Sequence, residues 1–262
     1  MTLRLLLVDA LNLVRRVYAA HPGEDGPERV EGALESCDRS LKRALEECEP
    51  THALVVFDGV GPTWRHESFP EYKANHRPMP EVLAEALPEV RRRFAQRGVA
   101  SFSLAGQEAD DVIATLAVKT AGSGGQAAIL STDKAFLQLL APGISCRDHF
   151  KRENLGPDYV RERFGVDPEH FVDYLALTGD PSTGIPGVSG VGPKTATLLL
   201  GRFGTLDRLL AAVERGEAGE LTAARLRRLQ EGTEDALRSR RLLRLSTDLD
   251  LGLNLRDLRL AG

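Results

Sequence analysis

The chain has 262 residues, with 34 Lys and Arg against 38 Asp and Glu and a formal net charge of -4. That length accommodates two unequal units, each with a core, and the acidic balance excludes a protein that coats nucleic acid by bulk charge, so any such binding must use local patches. Three cysteines without CxxC spacing (Cys37, Cys48, Cys146) fit neither a disulfide framework nor a zinc site.

In chain order, residues 3–8 form a short apolar, strand-like run that meets Asp9 too soon for a membrane span or signal segment. A cytoplasmic protein with no membrane partner is expected. A helical pattern follows over 30–47, then a strand over 53–57 that ends in Asp58. Residues 80–96 read as a helix, 99–104 as a strand, 108–120 as a helix and 127–130 as a fourth strand, with Asp133 three residues beyond it. Strands alternating with helices predict an α/β fold with a mostly parallel central sheet flanked by helices. Ligands gather at the carboxyl edge of such sheets, where Asp9, Asp58 and Asp133 fall. Beyond residue 155 the texture changes to short helices broken by Gly and Pro, so an α/β core over 1–155 and a helical region over 156–262 are expected. Residues 222–245 hold seven arginines against three acids. The favoured reading is a solvated helix face, and the alternative is a surface that tracks phosphates.

GQEADDVIATLA, residues 106–117, opens a helix with Glu108, Asp110 and Asp111. Capping the helix dipole takes one acid rather than three. With Asp9 and Asp58 these make five carboxylates around one sheet edge, a group that repels itself unless divalent cations bind. Hard oxygen ligands without clustered His or Cys select Mg²⁺ or Mn²⁺ over zinc. VDALN lacks the second acid of a DxD phosphatase loop, and Pro193 removes an N–H that a P-loop would use. GVSGVGPKTA instead reads as a helix-hairpin-helix over 185–200. In that motif Gly190, Val191, Gly192, Lys194 and Thr195 present backbone N–H groups to a nucleic-acid phosphate, Pro193 suits the first position of the following helix and Lys194 supplies a cation.

The strings VDALNLVRR, VVFDG, FPEYKANHRPMPE, EADDVIATLA, STDKAFLQLL and GDPSTGIPGVSGVGPKTA occur in this order. On them the chain resembles the 5′-nuclease superfamily, which includes flap endonucleases and the 5′-nuclease domains of bacterial DNA polymerase I, and within it the stand-alone bacterial members that lack a polymerase. The resemblance implies a metal site of Asp9, Asp58, Glu108, Asp110 and Asp111, with Asp110 a direct ligand. It implies a catalytic Lys73 from an arch over 64–80, assisted by Arg77 if the segment is helical, with Tyr72 or His76 available to stack on a base. It also implies a K⁺ in the hairpin, held by Leu177, Thr178, Pro186, Val188 and Val191, beside the DNA-contacting residues 190–195. A second divalent site is implied at Asp133 and Asp180, but Ala135 and Thr183 stand where the family has two further acids. The implied protein is a metal-dependent, structure-specific 5′-flap endonuclease, a monomer with no obligate protein partner that acts on branched DNA in replication or repair. The alternative is a protein that binds flap or branched DNA with weak or lost catalysis, and a third reading is an RNA-cleaving nuclease.

Overall fold

The computed structural model of the chain describes residues 2–217 and 221–260. Contacts group it into two units: Met1–Trp64, Arg77–Gly156 and Ser246–Gly262 form the first, Arg65–His76 and Pro157–Leu245 the second.

In the first unit β1 (Arg4–Asp9) leads into α1 (Ala10–Ala20) and α2 (Pro27–Cys48), and β2 (His52–Val56) into a five-residue helix α3 (Trp64–Ser68), which crosses into the second unit. Next come α4 (Glu81–Glu85), α5 (Leu87–Gln96), β3 (Ala100–Phe102), α6 (Ala109–Gly122), β4 (Gln126–Leu130), β5 (Ile144–Asp148) and β6 (Glu153–Leu155). The strands form one six-stranded sheet in the order β3-β2-β1-β4-β5-β6, and only the β5–β6 pairing is antiparallel. Val8 sits opposite Val55 on one side and Leu130 on the other. Because helices cover both faces, β1 is apolar without alternation: Leu6 and Val8 join Leu13, Val14, Leu34, Leu41 and Phe94 in a core built with α1, α2 and α5, while Leu5 and Leu7 are buried on the opposite face.

Three differences from the sequence reading have physical causes. The expected helix over 80–96 is two helices, because Pro88 falls in the first turn of α5 and cannot continue α4. The strands β5 and β6 lay outside the expectation because polar residues interrupt them; Arg147, mid-strand, is buried only by pairing with Glu47 and Asn154. Residues 246–260 return to the first unit rather than staying with the helical region. Ser246 N donates to Asp111, Leu249 N to the Thr115 hydroxyl, and Leu260 N to the Thr51 carbonyl.

The second unit contains α7 (Pro157–Phe164), α8 (Phe171–Thr178), α9 (Pro193–Phe203), α10 (Leu206–Glu214), α11 (Ala223–Glu231) and α12 (Thr233–Leu243). Phe164 packs edge-on against Phe171 and Tyr174 with ring centroids 4.8 and 5.7 Å apart. Arg65 is 1% exposed, and its guanidinium donates to the carbonyls of Leu242 at 2.8 Å and Arg244 at 3.0 Å. It thus caps the carbonyl end of α12, where a cation is favoured. Arg65→Met should destabilise this unit by about 2–4 kcal/mol, because a buried carbonyl and a part-buried one lose charged donors. Unchanged thermal melting and proteolysis of the variant would remove that role. No helix of the described residues is long and apolar enough to cross a membrane.

Candidate active site

Asp9 ends β1 at the carboxyl edge of the sheet and also caps α1, accepting from Asn12 N at 3.1 Å. Its second oxygen accepts from the Ser131 hydroxyl at 2.8 Å, and that hydroxyl oxygen in turn accepts from Asp133 N at 3.0 Å. Asn12 takes two bonds from Thr132, which ties α1 to the end of β4. Burial pushes the Asp9 carboxyl up to about 7; the Asn12 N–H and the Ser131 hydroxyl pull it down, while like charge on Asp133 and Asp58 adds to the rise.

Asp58 lies two residues past β2 and accepts from Ala109 N at 2.8 Å, so it caps α6 from outside the helix. Gly59 makes this approach possible, since a Cβ there would fall well inside contact distance of the Leu104 carbonyl, and its N–H instead bonds Gln107 O at 2.9 Å. Glu108 is buried at the start of α6, Asp110 is half-buried in its first turn, and Asp111 is 1% exposed and accepts from Ser246 N at 2.8 Å. Asp133 accepts from Ala135 N at 2.7 Å and caps a short 3-10 helix, Lys134–Leu139.

All six of these acids belong to the first unit, and the fold carries Asp9, Asp58 and Asp133 to one sheet edge. Among the described residues, however, no three His, Cys, Asp or Glu side chains are gathered closely enough to hold a metal ion. Asp9, Asp58 and Asp133 point at helix starts. The chemistry nonetheless fits a hard divalent cation: the donors are carboxylate oxygens, and a cation offsets both the burial of the Asp9 charge and the like charge on Asp133 and Asp58 that adds to its rise. The residues that sequence reasoning missed are Asn12, Ser131 and Thr132. The available signal was a polar residue three positions after one edge acid and two hydroxyl residues just before another.

The second unit holds Lys73, Asp180 and the hairpin. Residues 70–76 form turns rather than a helix, with Pro70, Asn75 and Pro78 opposing one, so the i, i+4 pairing expected of Lys73 and Arg77 does not occur. Lys73 has a left-handed φ of 54°, donates its N–H to Thr183 O at 2.8 Å and lies with Nζ 5.1 Å from the Tyr72 ring centre. Arg77 falls in the first unit, where its carbonyl accepts from the Arg15 guanidinium. Tyr72 is 5% exposed and packed edge-on against His66, so its ring belongs to the core and is not offered to a base. His76 bonds the Ser182 carbonyl at 2.5 Å. Asp180 is buried and accepts from the N–H and hydroxyl of Ser182 at 2.9 and 2.6 Å.

Helices α8 and α9 flank the hairpin. Gly179, at φ 80°, ends α8, Val188 N returns to Leu177 O at 2.9 Å, and Val191 N bonds Val188 O at 3.0 Å. Pro193 opens α9, and the N–H groups of Gly192, Lys194 and Thr195 find no acceptor among the described residues. Three outward N–H groups beside the exposed Lys194 make an anion-binding helix start. Of the carbonyls expected to hold K⁺, those of Leu177, Pro186 and Val188 each accept one hydrogen bond, which leaves a second lone pair on each. The Thr178 hydroxyl donates to Tyr174 O at 3.0 Å. The arginine run of residues 222–245 divides: Arg238 pairs with Asp235 and Arg240 with Asp207, whereas the exposed Arg228 brings its guanidinium against Gly190.

Comparison with known proteins gives the arrangement a family. The profile of the 5′-3′ exonuclease N-terminal resolvase-like domain matches residues 4–165, and that of the 5′-3′ exonuclease C-terminal SAM fold matches residues 166–262. Flap endonuclease Xni of Serratia proteamaculans and that of Klebsiella pneumoniae are each 42% identical over 264 residues, covering 99% of this chain and 99% of theirs. The fold matches that of T5 5′-exonuclease with bound zinc, with a TM-score of 0.77 at 23% identity over 92% of this chain and 89% of that one. It also matches the catalytic core of Rad2 in complex with DNA substrate, with a TM-score of 0.61 at 17% identity over 95% and 81%. The chain belongs to the 5′-3′ exonuclease family, the 5′-nucleases.

Proposed function

We propose that the protein is a divalent-cation-dependent 5′-flap endonuclease that hydrolyses a phosphodiester of branched DNA in replication or repair. The observation that carries the reading is Asp9, set at the carboxyl edge, where burial first of all, with like charge on Asp133 and Asp58 added to it, pushes its carboxyl up to about 7. Burying a carboxylate with like charge nearby is costly, and it is useful where a cation is to be bound. The shared length with relatives named flap endonuclease Xni supports the substrate class.

Mg²⁺ or Mn²⁺ would be held by Asp9, Asp58, Glu108, Asp110 and Asp111 with Asp133 beside them, and when bound would supply an activated water and neutralise charge on the scissile phosphate. The N–H groups of Gly192, Lys194 and Thr195 would grip a DNA phosphate, and the carbonyls around Leu177 and Val188 suit a K⁺ in the same hairpin. Lys73 would bring an ammonium to the scissile phosphate. Ala135 and Thr183, standing where the resemblance to the wider 5′-nuclease superfamily implies two further acids, favour a weakly held second cation and slow turnover.

The test uses a 5′-labelled flap substrate with Mg²⁺ or Mn²⁺. Parent protein is expected to release the flap, and Asp110→Ala to lose cleavage by at least about 100-fold while binding the same junction within about threefold. A parent that binds flaps and never cuts them, in either cation, would leave a binding protein in place of a nuclease.

A further inference from the structure

The turn between β5 and β6 lies outside the carboxylate network and the hairpin. In register, Leu130 of β4 sits opposite Arg147 of β5, so Asp148 and His149 emerge at the carboxyl edge beside Ser131 to Asp133. Phe150 is 45% exposed, the one aromatic among the large exposed apolar side chains of the described residues. Its ring lies against His149, with centroids 4.3 Å apart. His149 is 7% exposed, and neither of its ring nitrogens has a hydrogen-bond partner among the described residues. A side chain needed only for packing would not bring two unsatisfied nitrogens with it.

Lys151 and Arg152 follow, both exposed and neither with a carboxylate partner among the described residues. Arg16, on α1, is also exposed, and its charge reaches His149. The Asp148 carboxylate fixes the turn by accepting from the N–H groups of Phe150 and Lys151 at 2.9 and 3.0 Å. Arg152 occupies the left-handed position, φ 62°, which is uncommon for a residue other than Gly or Asn. An aromatic face ringed by cations is what an unpaired strand binds: every free base has a π-face, and the backbone needs positive charge. Paired bases in a duplex have no free faces to offer.

We infer that the β5–β6 turn is a single-strand DNA contact, in which Phe150 stacks on an unpaired base and Lys151, Arg152 and Arg16 take the adjoining phosphates. The inference rests on the nuclease reading of the neighbouring edge, and assigns to that site a platform for the unpaired strand of its substrate. A bound strand supplies the polar partner that the protein does not give His149.

Oligothymidylate and a blunt duplex of equal charge, both fluorescently labelled, separate the possibilities. Phe150→Ala should weaken oligothymidylate binding roughly 5- to 100-fold, the span of a lost stacked base, while Phe150→Trp restores it. Duplex binding should change less than about twofold. Lys151→Ala with Arg152→Ala should lower the salt slope of oligothymidylate binding by about one to two. Equal affinity of the parent and Phe150→Ala for oligothymidylate, or equal losses on strand and duplex, overturns the contact. Flap cleavage by the parent is measured in parallel: cleavage without a Phe150 effect on strand binding removes the contact and keeps the nuclease, and a Phe150 effect without cleavage does the reverse.

Discussion

Asp9→Asn should melt at a higher temperature than the parent in the absence of metal at pH 8, should lose the thermal response to Mg²⁺, and should cleave flaps at least roughly 100-fold more slowly. The three effects have one origin. The Asp9 carboxyl is buried, and in the folded chain it titrates near 7 against an ordinary value of 3.8, with burial the largest cause and like charge on Asp133 and Asp58 added to it. Between those values the unfolded chain ionises first and binds fewer protons than the folded one, so this group's contribution to stability is greatest below about pH 4, declines as pH rises to about 7 and is flat beyond. At pH 8 the folded protein carries the full penalty, on the order of a few kcal/mol, and Asn removes it while still accepting from Asn12 N. For a chain of this size the gain should appear as roughly 3–10 °C. A divalent cation offsets the same penalty in the parent, so Mg²⁺ should raise the parent's melting temperature and leave the variant's unchanged. Melting curves from pH 5 to 8, with and without Mg²⁺, check this. A parent whose melting is indifferent to pH over that range and to the cation would remove the account.

The sheet edge was legible because β1, β2 and β4 are short continuous apolar runs with an acid at or beyond each end, and runs of that kind belong to buried parallel strands. The strands β5 and β6 were not, since the sequence of ISCRD and ENL is half polar and Arg147 is buried only through partners distant in the chain. Composition pointed to the acids of the site, but their hydrogen-bond partners depend on tertiary placement. Asn12 reads as an ordinary first-turn residue until Thr132 is brought beside it, and Asp111 reads as one more acid of a cluster until Ser246 returns to it. Lys73 and Arg77 illustrate the opposite error, a helical spacing assumed where prolines and a left-handed residue give turns. The hairpin was the most legible part of the second unit, because its glycines and Pro193 specify backbone geometry directly, without depending on distant partners.

That directness supports the second large effect: Gly187→Ala should cost binding to flap and duplex DNA at least roughly 10-fold, and Gly192→Ala should leave it within about threefold. Both glycines lie in the same string and neither has a positive φ, so conformational freedom does not separate them. Space does. A Cβ on Gly187 falls inside contact distance of Gly179 N, the Thr178 carbonyl carbon and Leu177 O, all backbone atoms that close the hairpin onto the end of α8. Backbone there cannot yield without breaking the Val188 N to Leu177 O bond, and overpacking of this kind costs about 1–3 kcal/mol or more. A Cβ on Gly192 meets nothing within 4 Å, and the residue sits at the cap of α9 with φ -91°, which alanine adopts at a modest capping loss. Lys194→Ala completes the set, since it keeps the backbone and removes one exposed cation, and should lower the salt slope of binding by about one. DNA-binding isotherms at several salt concentrations, with melting curves as the check on folding, distinguish the three. If Gly187→Ala remains folded and binds DNA as the parent does, the hairpin's shape is not what grips the phosphate. If Gly192→Ala is the more damaging change, the outward N–H groups at the start of α9 matter more than the closure of the turn behind them.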